Sequence, residues 1–308
     1  MLLATPGAAV PNANTLLRLT RPRFLLVTVS ACLIGWSAAW RTAGTLDGAL
    51  AAITLLLALA AHAAGNILND YEDHASGADA ANTDGLFPFT GGSRLIQQGR
   101  IEARHVRTIA LALIAGCTVG GLLLAIAVRP ALLGIGLAGL GFAWAYSAPP
   151  LRLMARGIGE IVIAVEWWLV AVGACLLQLP DMSVPGWTAG LGHAGLVAAI
   201  LLLNGFPDAR GDTSAGKRTL VVRLGFHGAA WAFLALVLAA HGIGIAALHH
   251  AGVGGWAWPL ASLPLSLTAA ALLFRHLGQP ARLRGAITCN ILASLVHALA
   301  TCAALVAS

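Results

Sequence analysis

The sequence predicts an all-α integral membrane bundle of nine transmembrane helices with cytoplasmic active-site loops. Three observations predict it. Of 308 residues, 58% are hydrophobic and only 10% are charged, where a soluble domain carries about 25% charged residues. Mean hydropathy is +0.83. Apolar stretches near the length of a membrane span, about 20 residues, recur along the whole chain.

In order, the expected spans lie near 24–41, 48–68, 108–128, 130–147, 157–179, 188–206, 228–248, 256–274 and 286–307. The third runs from Thr108 to Val128 without a charge. The fourth is short, and Pro130 suits its first turn. The stretch 1–17 reads as an N-terminal tail with no basic segment before an apolar run, so no cleaved signal is expected. The stretches 69–107 and 207–227 read as long cytoplasmic loops of a single 1–308 domain.

Charge sorts by side. Of the 18 Lys and Arg residues, only Arg41 and Arg129 fall on the face opposite the N-terminus. The positive-inside rule then puts the N-terminus in the cytoplasm and the C-terminus across the membrane. The same sorting accounts for the net charge of +6 without a nucleic-acid partner, and no obligate protein partner is evident. Cys32, Cys117, Cys175, Cys289 and Cys302 all lie in apolar stretches without a C-x-x-C pair. Neither disulfides nor zinc are expected.

Two acidic clusters close two spans. The second span runs out through Asn66, Asn69, Asp70 and Asp73 towards Asp79, and the sixth through Asn204, Asp208 and Asp212. Both contain Asn-x-x-x-Asp. On a helix, Asp70 and Asp73 share a face, as do Asp208 and Asp212. Paired carboxylates repel unless a cation sits between them, and all-oxygen donors suit Mg²⁺ that shares its shell with substrate phosphates. Lys217 and Arg218 follow the second cluster, and Arg94 follows Gly91-Gly92-Ser93 after the first. They would neutralise a leaving diphosphate, with glycine amides approaching its oxygens. The bland alternative is that each cluster faces water at a helix end.

These residues resemble the UbiA superfamily of intramembrane prenyltransferases. Asn69-Asp70-Tyr71-Glu72-Asp73, with Gly77 and Asp79 after it, is similar to the first motif of the subgroup that prenylates 1,4-dihydroxy-2-naphthoate for menaquinone. So are Gly91-Gly92-Ser93 with Gly99, Arg156-Gly157-Ile158-Gly159-Glu160, and the run from Gly216-Lys217-Arg218 to Gly225. The resemblance implies an enzyme of the bacterial cytoplasmic membrane that moves a polyprenyl group from an isoprenyl diphosphate to a small aromatic acceptor. It implies Mg²⁺ on Asp70, Asp73, Asp79, Asp208 and Asp212, a diphosphate contact from Lys217, support from Asn66, Asn69 and Asn204, and weaker roles for Tyr146 and Ser147. Arg94 and Arg218 join the substrate-binding set.

Other acceptors, such as 4-hydroxybenzoate, homogentisate or haem, stay open. The competing class is a cation-coupled transporter, which would hold its ions near the midplane on broken helices. Glu160 reads as a hydrated interfacial residue or a functional one. Glu166, deeper in its span, reads as a wall of the acceptor pocket or a partner for another polar group. His62 reads as a packed polar residue. Arg21 and Arg23 read chiefly as anchors, and Trp144, Trp167 and Trp168 as interfacial or tunnel-lining residues.

Overall fold

The computed structural model describes residues 12–308, so most of the expected tail lies outside the described residues. A short helix, α1 (Ala13–Leu19), leads into α2 (Leu25–Ala43) and α3 (Gly48–Ala75). One turn, α4 (Ala78–Ala81), precedes a long irregular stretch, then α5 (Ala103–Ala127), α6 (Leu132–Ser147) and α7 (Gly159–Leu176). After the short α8 (Val184–Thr188) come α9 (Leu191–Ser214), α10 (Leu220–His250), α11 (Leu263–Arg275) and α12 (Arg284–Val306).

Eight helical segments among the described residues are long and apolar enough to cross a membrane. The chain is an integral membrane protein. The expected span 130–147 is α6, at 16 residues a helix of about 24 Å against a hydrocarbon core of about 30 Å. It falls short of the length criterion, so the expected count of nine is not reached on that measure.

Contacts define two ends of the bundle. At one, Lys217 meets Asp73, Arg21 meets Asp70, and Arg152 lies 3.9 Å from Glu72. At the other, Arg41 donates to Ser308 and to the carbonyl of Gly252, while Arg129 donates to that of Leu179. α9 is the most enclosed spanning segment. Its Leu202, Leu203 and Phe206 pack with Phe233, Leu273 and Ile287.

The helices run further than sequence patterning suggests. Asp47 starts α3 by accepting from the amides of Ala49 and Leu50, at 2.8 and 3.0 Å. Nothing breaks the helix before Gly77, at φ +79°. At 28 residues it rises about 42 Å, so its last turns carry Asp70 and Asp73 beyond the expected 48–68 span. α9 likewise continues through Pro207 to Ser214. Proline forfeits one backbone hydrogen bond there without ending the helix, and Asp208 and Asp212 ride on its final turns. The stretches expected as loops therefore begin as helix. α10 is two helices meeting at Gly225, where φ is 66° and ψ 170°.

Candidate active site

Both acidic clusters open onto one polar hollow of about 120 Å³. The turn after α3 makes this possible. It folds back on α9 at Gly211, where an added Cβ would stand 2.8 Å from Asn82 Cβ and 3.2 Å from the Ala78 carbonyl oxygen. A glycine is needed for that approach. Asn82 then donates to Asp208 Oδ1 at 2.6 Å.

The glycine-rich stretch ties the clusters together. Its Ser93 amide lies 3.2 Å from Asp70 Oδ2, and its Gly91 amide 3.4 Å from Asp208 Oδ2. These two amides bind the carboxylates themselves. Between them, Gly92 adopts φ +71°. A Cβ there would fall 2.8 Å from Asp79 Oδ2 and 3.2 Å from Asp70 Oδ1. Gly92→Ala should therefore push Asp70 and Asp79 apart as well as strain the backbone. We expect about 1–2 kcal/mol of lost stability and at least a tenfold lower activity. Gly99→Ala, at φ +65° with open space around it, should show a stability loss in thermal melts while keeping its activity.

Two cations pair with the carboxylates. Lys217 Nζ donates to Asp73 Oδ1 at 2.6 Å and lies 3.4 Å from Asp212 Oδ1. One ammonium thus joins the first cluster to the second. Burial opposes its charge, but Asp73 and Asp212 outweigh burial and hold its pKa above the usual lysine value. Arg21 forms an ion pair with Asp70, and its Nη2 lies 3.5 Å from Asn69 Oδ1. Burial disfavours its charge too, yet Asp70 leads a group of carboxylates that raises its pKa. Asp79, donated to by Gln97 at 3.1 Å, has its carboxyl pushed up to about 7, first by burial and then by Asp73 and Asp70.

Asp73, Asp79, Asp208 and Asp212 line the hollow, with Asp70 paired to Arg21 beside it, and they outnumber the two cations there, Arg21 and Lys217, leaving room for more positive charge. The donors are all oxygen, and the side-chain oxygens of Asn82 and Asn204 are buried without a partner. Among the described residues no three acidic, His or Cys side chains converge on a single point. All-oxygen donors of this kind suit a hard ion that completes its shell with phosphate oxygens and water, the habit of Mg²⁺.

Below the hollow lies a cavity of about 590 Å³, walled by apolar side chains from α3, α5, α6 and α7. Arg21, Asn69, Tyr146 and Asn204 line both spaces. Asn66 lines the lower one and donates to the Thr20 carbonyl at 3.0 Å. Ser147 is buried and receives a hydrogen bond from Asn69 at 3.2 Å. Trp144 and Trp167 line the cavity; Trp168 instead donates to the Trp187 carbonyl.

The profile of the UbiA prenyltransferase family matches residues 28–291. The chain belongs to the UbiA prenyltransferase family. This prenyltransferase is 31% identical over 207 residues to the 1,4-dihydroxy-2-naphthoate octaprenyltransferase of Mycobacterium leprae, covering 67% of each chain. It is 30% identical over 216 residues to the Escherichia coli protein of the same name, again over 67% of each. Among solved structures, a UbiA homolog from Archaeoglobus fulgidus bound to GPP and Mg²⁺ has a TM-score of 0.66 at 15% identity. That match covers 95% of this prenyltransferase and 99% of the homolog and speaks for the fold.

Several expectations about the prenyltransferase's site need correction. Arg94 does not line the hollow. Its Nη1 donates to the carbonyls of Asp79 and Asn82, both at 2.9 Å, clamping the turn that carries them. Arg218 is exposed, and its backbone alone is engaged, donating to Ala155 and accepting from Arg223. Conversely, Arg21 faces the site, where anchoring was the favoured expectation. Glu160 lines the polar hollow. Asn82 and Gln97 escaped sequence reasoning, because only the fold of the irregular stretch brings them to the aspartates.

Proposed function

We propose that this prenyltransferase transfers a polyprenyl group from an isoprenyl diphosphate to 1,4-dihydroxy-2-naphthoate, assisted by Mg²⁺. The observation that carries the reading is the Asp73–Lys217–Asp212 bridge at the mouth of a large apolar cavity. The named relatives support the acceptor. The A. fulgidus homolog, bound to GPP and Mg²⁺, supports the donor and the ion.

In this reading Asp70, Asp73, Asp79, Asp208 and Asp212 hold Mg²⁺, which supplies Lewis-acid neutralisation of the departing diphosphate. Lys217 and Arg21 place fixed positive charge where negative charge develops, the kind of preorganised field that speeds such steps most. Asn69 and Asn204 fix the reacting end at the junction of the two spaces. The apolar cavity keeps water from the allylic centre and solvates a chain whose burial is worth about 0.8 kcal/mol per CH₂. Basic-residue sorting supports a cytoplasmic site, with the N-terminus on that side.

Purified protein with labelled polyprenyl diphosphate should form product from dihydroxynaphthoate at least ten times faster than from 4-hydroxybenzoate or homogentisate. EDTA should abolish turnover and excess Mg²⁺ restore it. Equal rates on all acceptors would remove the acceptor assignment. Full activity in EDTA would remove the ion.

A further inference from the structure

The apolar cavity contains a carboxyl group that the diphosphate chemistry does not use. Glu166, on α7, lines it, and its Oε1 is buried without a hydrogen-bond partner. His62, on α3, lines the same space, with Nδ1 2.7 Å from Thr28 Oγ1 and its ring edge-on to Trp167 at 4.8 Å. An unmatched buried acceptor is costly, and an ionisable group within a membrane protein normally faces a cavity or a partner.

Depth along the helices places this pair. Glu166 follows Glu160, a wall of the polar hollow, by six residues, or about 9 Å of helix rise. His62 precedes Asp70 by eight, or about 12 Å. Both therefore stand below the diphosphate hollow by about the length of a two-ring aromatic molecule. The carboxyl of Glu166 has a backbone hydrogen bond at Ala143, and an isoprenyl chain, which has no hydrogen-bond donor, would leave its Oε1 unmatched. A hydroxylated aromatic ring offers an apolar body and a donor at its edge, the combination that a mainly apolar pocket with a few polar groups selects.

We infer that Glu166 is an acceptor-binding residue, taking a hydrogen bond from a ring hydroxyl of the aromatic substrate on the α7 side of the cavity. The isoprenyl chain then occupies the remainder, against Leu57, Ile114, Leu122 and Leu137. This rests on the prenyl-acceptor reading above and adds which residue reads the acceptor.

The test compares wild type, Glu166→Gln and Glu166→Leu with dihydroxynaphthoate and each of its two monomethyl ethers. Initial rates give KM for acceptor and for prenyl diphosphate. Tryptophan-fluorescence titration reads acceptor binding without turnover. Glu166→Leu should raise KM and Kd for the acceptor about tenfold, the upper end of what one hydrogen bond in a buried pocket contributes. KM for prenyl diphosphate should stay within twofold. Glu166→Gln, which keeps an oxygen acceptor, should stay within about threefold. One methyl ether should bind wild type at least tenfold more weakly than its parent, and Glu166→Leu should no longer distinguish the two.

Unchanged acceptor affinity in Glu166→Leu, or equal discrimination against the ethers by both proteins, overturns the inference. If Glu166→Leu fails to fold, Glu166→Met, an apolar side chain of similar length, replaces it, with the same expected loss of acceptor affinity and ether discrimination and the same overturning result. A wild type that binds the acceptor but transfers no prenyl group sinks the functional reading and leaves the Glu166 result standing.

Discussion

Asp208→Ala will lower prenyl transfer about a thousandfold or more, with the protein still folded in detergent. Such a loss corresponds to about 4 kcal/mol of transition-state stabilisation, within reach of a group that positions both an ion and a departing anion. Asp208 accepts from Asn82 and from the Gly91 amide and has no cation of its own among the described residues. Its negative charge is therefore free for an added ion. Asp208→Asn should lose nearly as much rate, because the amide keeps the shape and removes the charge. Single-turnover measurements with saturating Mg²⁺ check both. A fall of less than tenfold in either would take Asp208 out of the ion-binding set.

Lys217→Met carries the second large effect. The ammonium bridges Asp73 and Asp212, and in the proposed reaction it would also offer positive charge to the diphosphate. Without it, two carboxylates face each other across the hollow and repel. We expect a kcat about a hundred- to a thousandfold lower, together with a steeper dependence on Mg²⁺, since the ion must then suppress that repulsion alone. Lys217→Arg should recover part of the rate by restoring the charge, but not all of it. The planar guanidinium cannot reproduce a point donor between two oxygens. A Lys217→Met enzyme with unchanged kcat and unchanged Mg²⁺ dependence would make the lysine a merely structural bridge.

The bundle was legible because membrane helices announce themselves twice, by apolar length and by basic residues at alternate ends. Those signals stop short of the helix ends. Hydropathy falls at Asn69, so a span is drawn to 68, yet the helix persists for two more turns because hydrogen bonding, not hydropathy, decides where it ends. Pro207 marks a loop by its sequence habit, but a helix well packed in its bundle runs through it. The aspartate pairs could be read because i,i+3 and i,i+4 spacing has meaning on any helix.

The partners of those aspartates could not be read. Arg21 is 49 residues from Asp70, and Asn82 is 126 from Asp208. No local pattern links them. Arg94 follows the glycines in sequence, but at φ +62° its side chain turns back onto the Asp79 and Asn82 carbonyls. Sequence position gives proximity along the chain, whereas the direction of a side chain depends on a dihedral angle.

The most direct test is an experimental structure of the protein with Mg²⁺ and a non-hydrolysable prenyl thiodiphosphate. The diphosphate should lie between Asp70 and Asp73 on one side and Asp208 and Asp212 on the other, within reach of Lys217, with the prenyl chain running down into the apolar cavity. A diphosphate bound at any other place, or touching ions held by one helix end alone, would contradict the account.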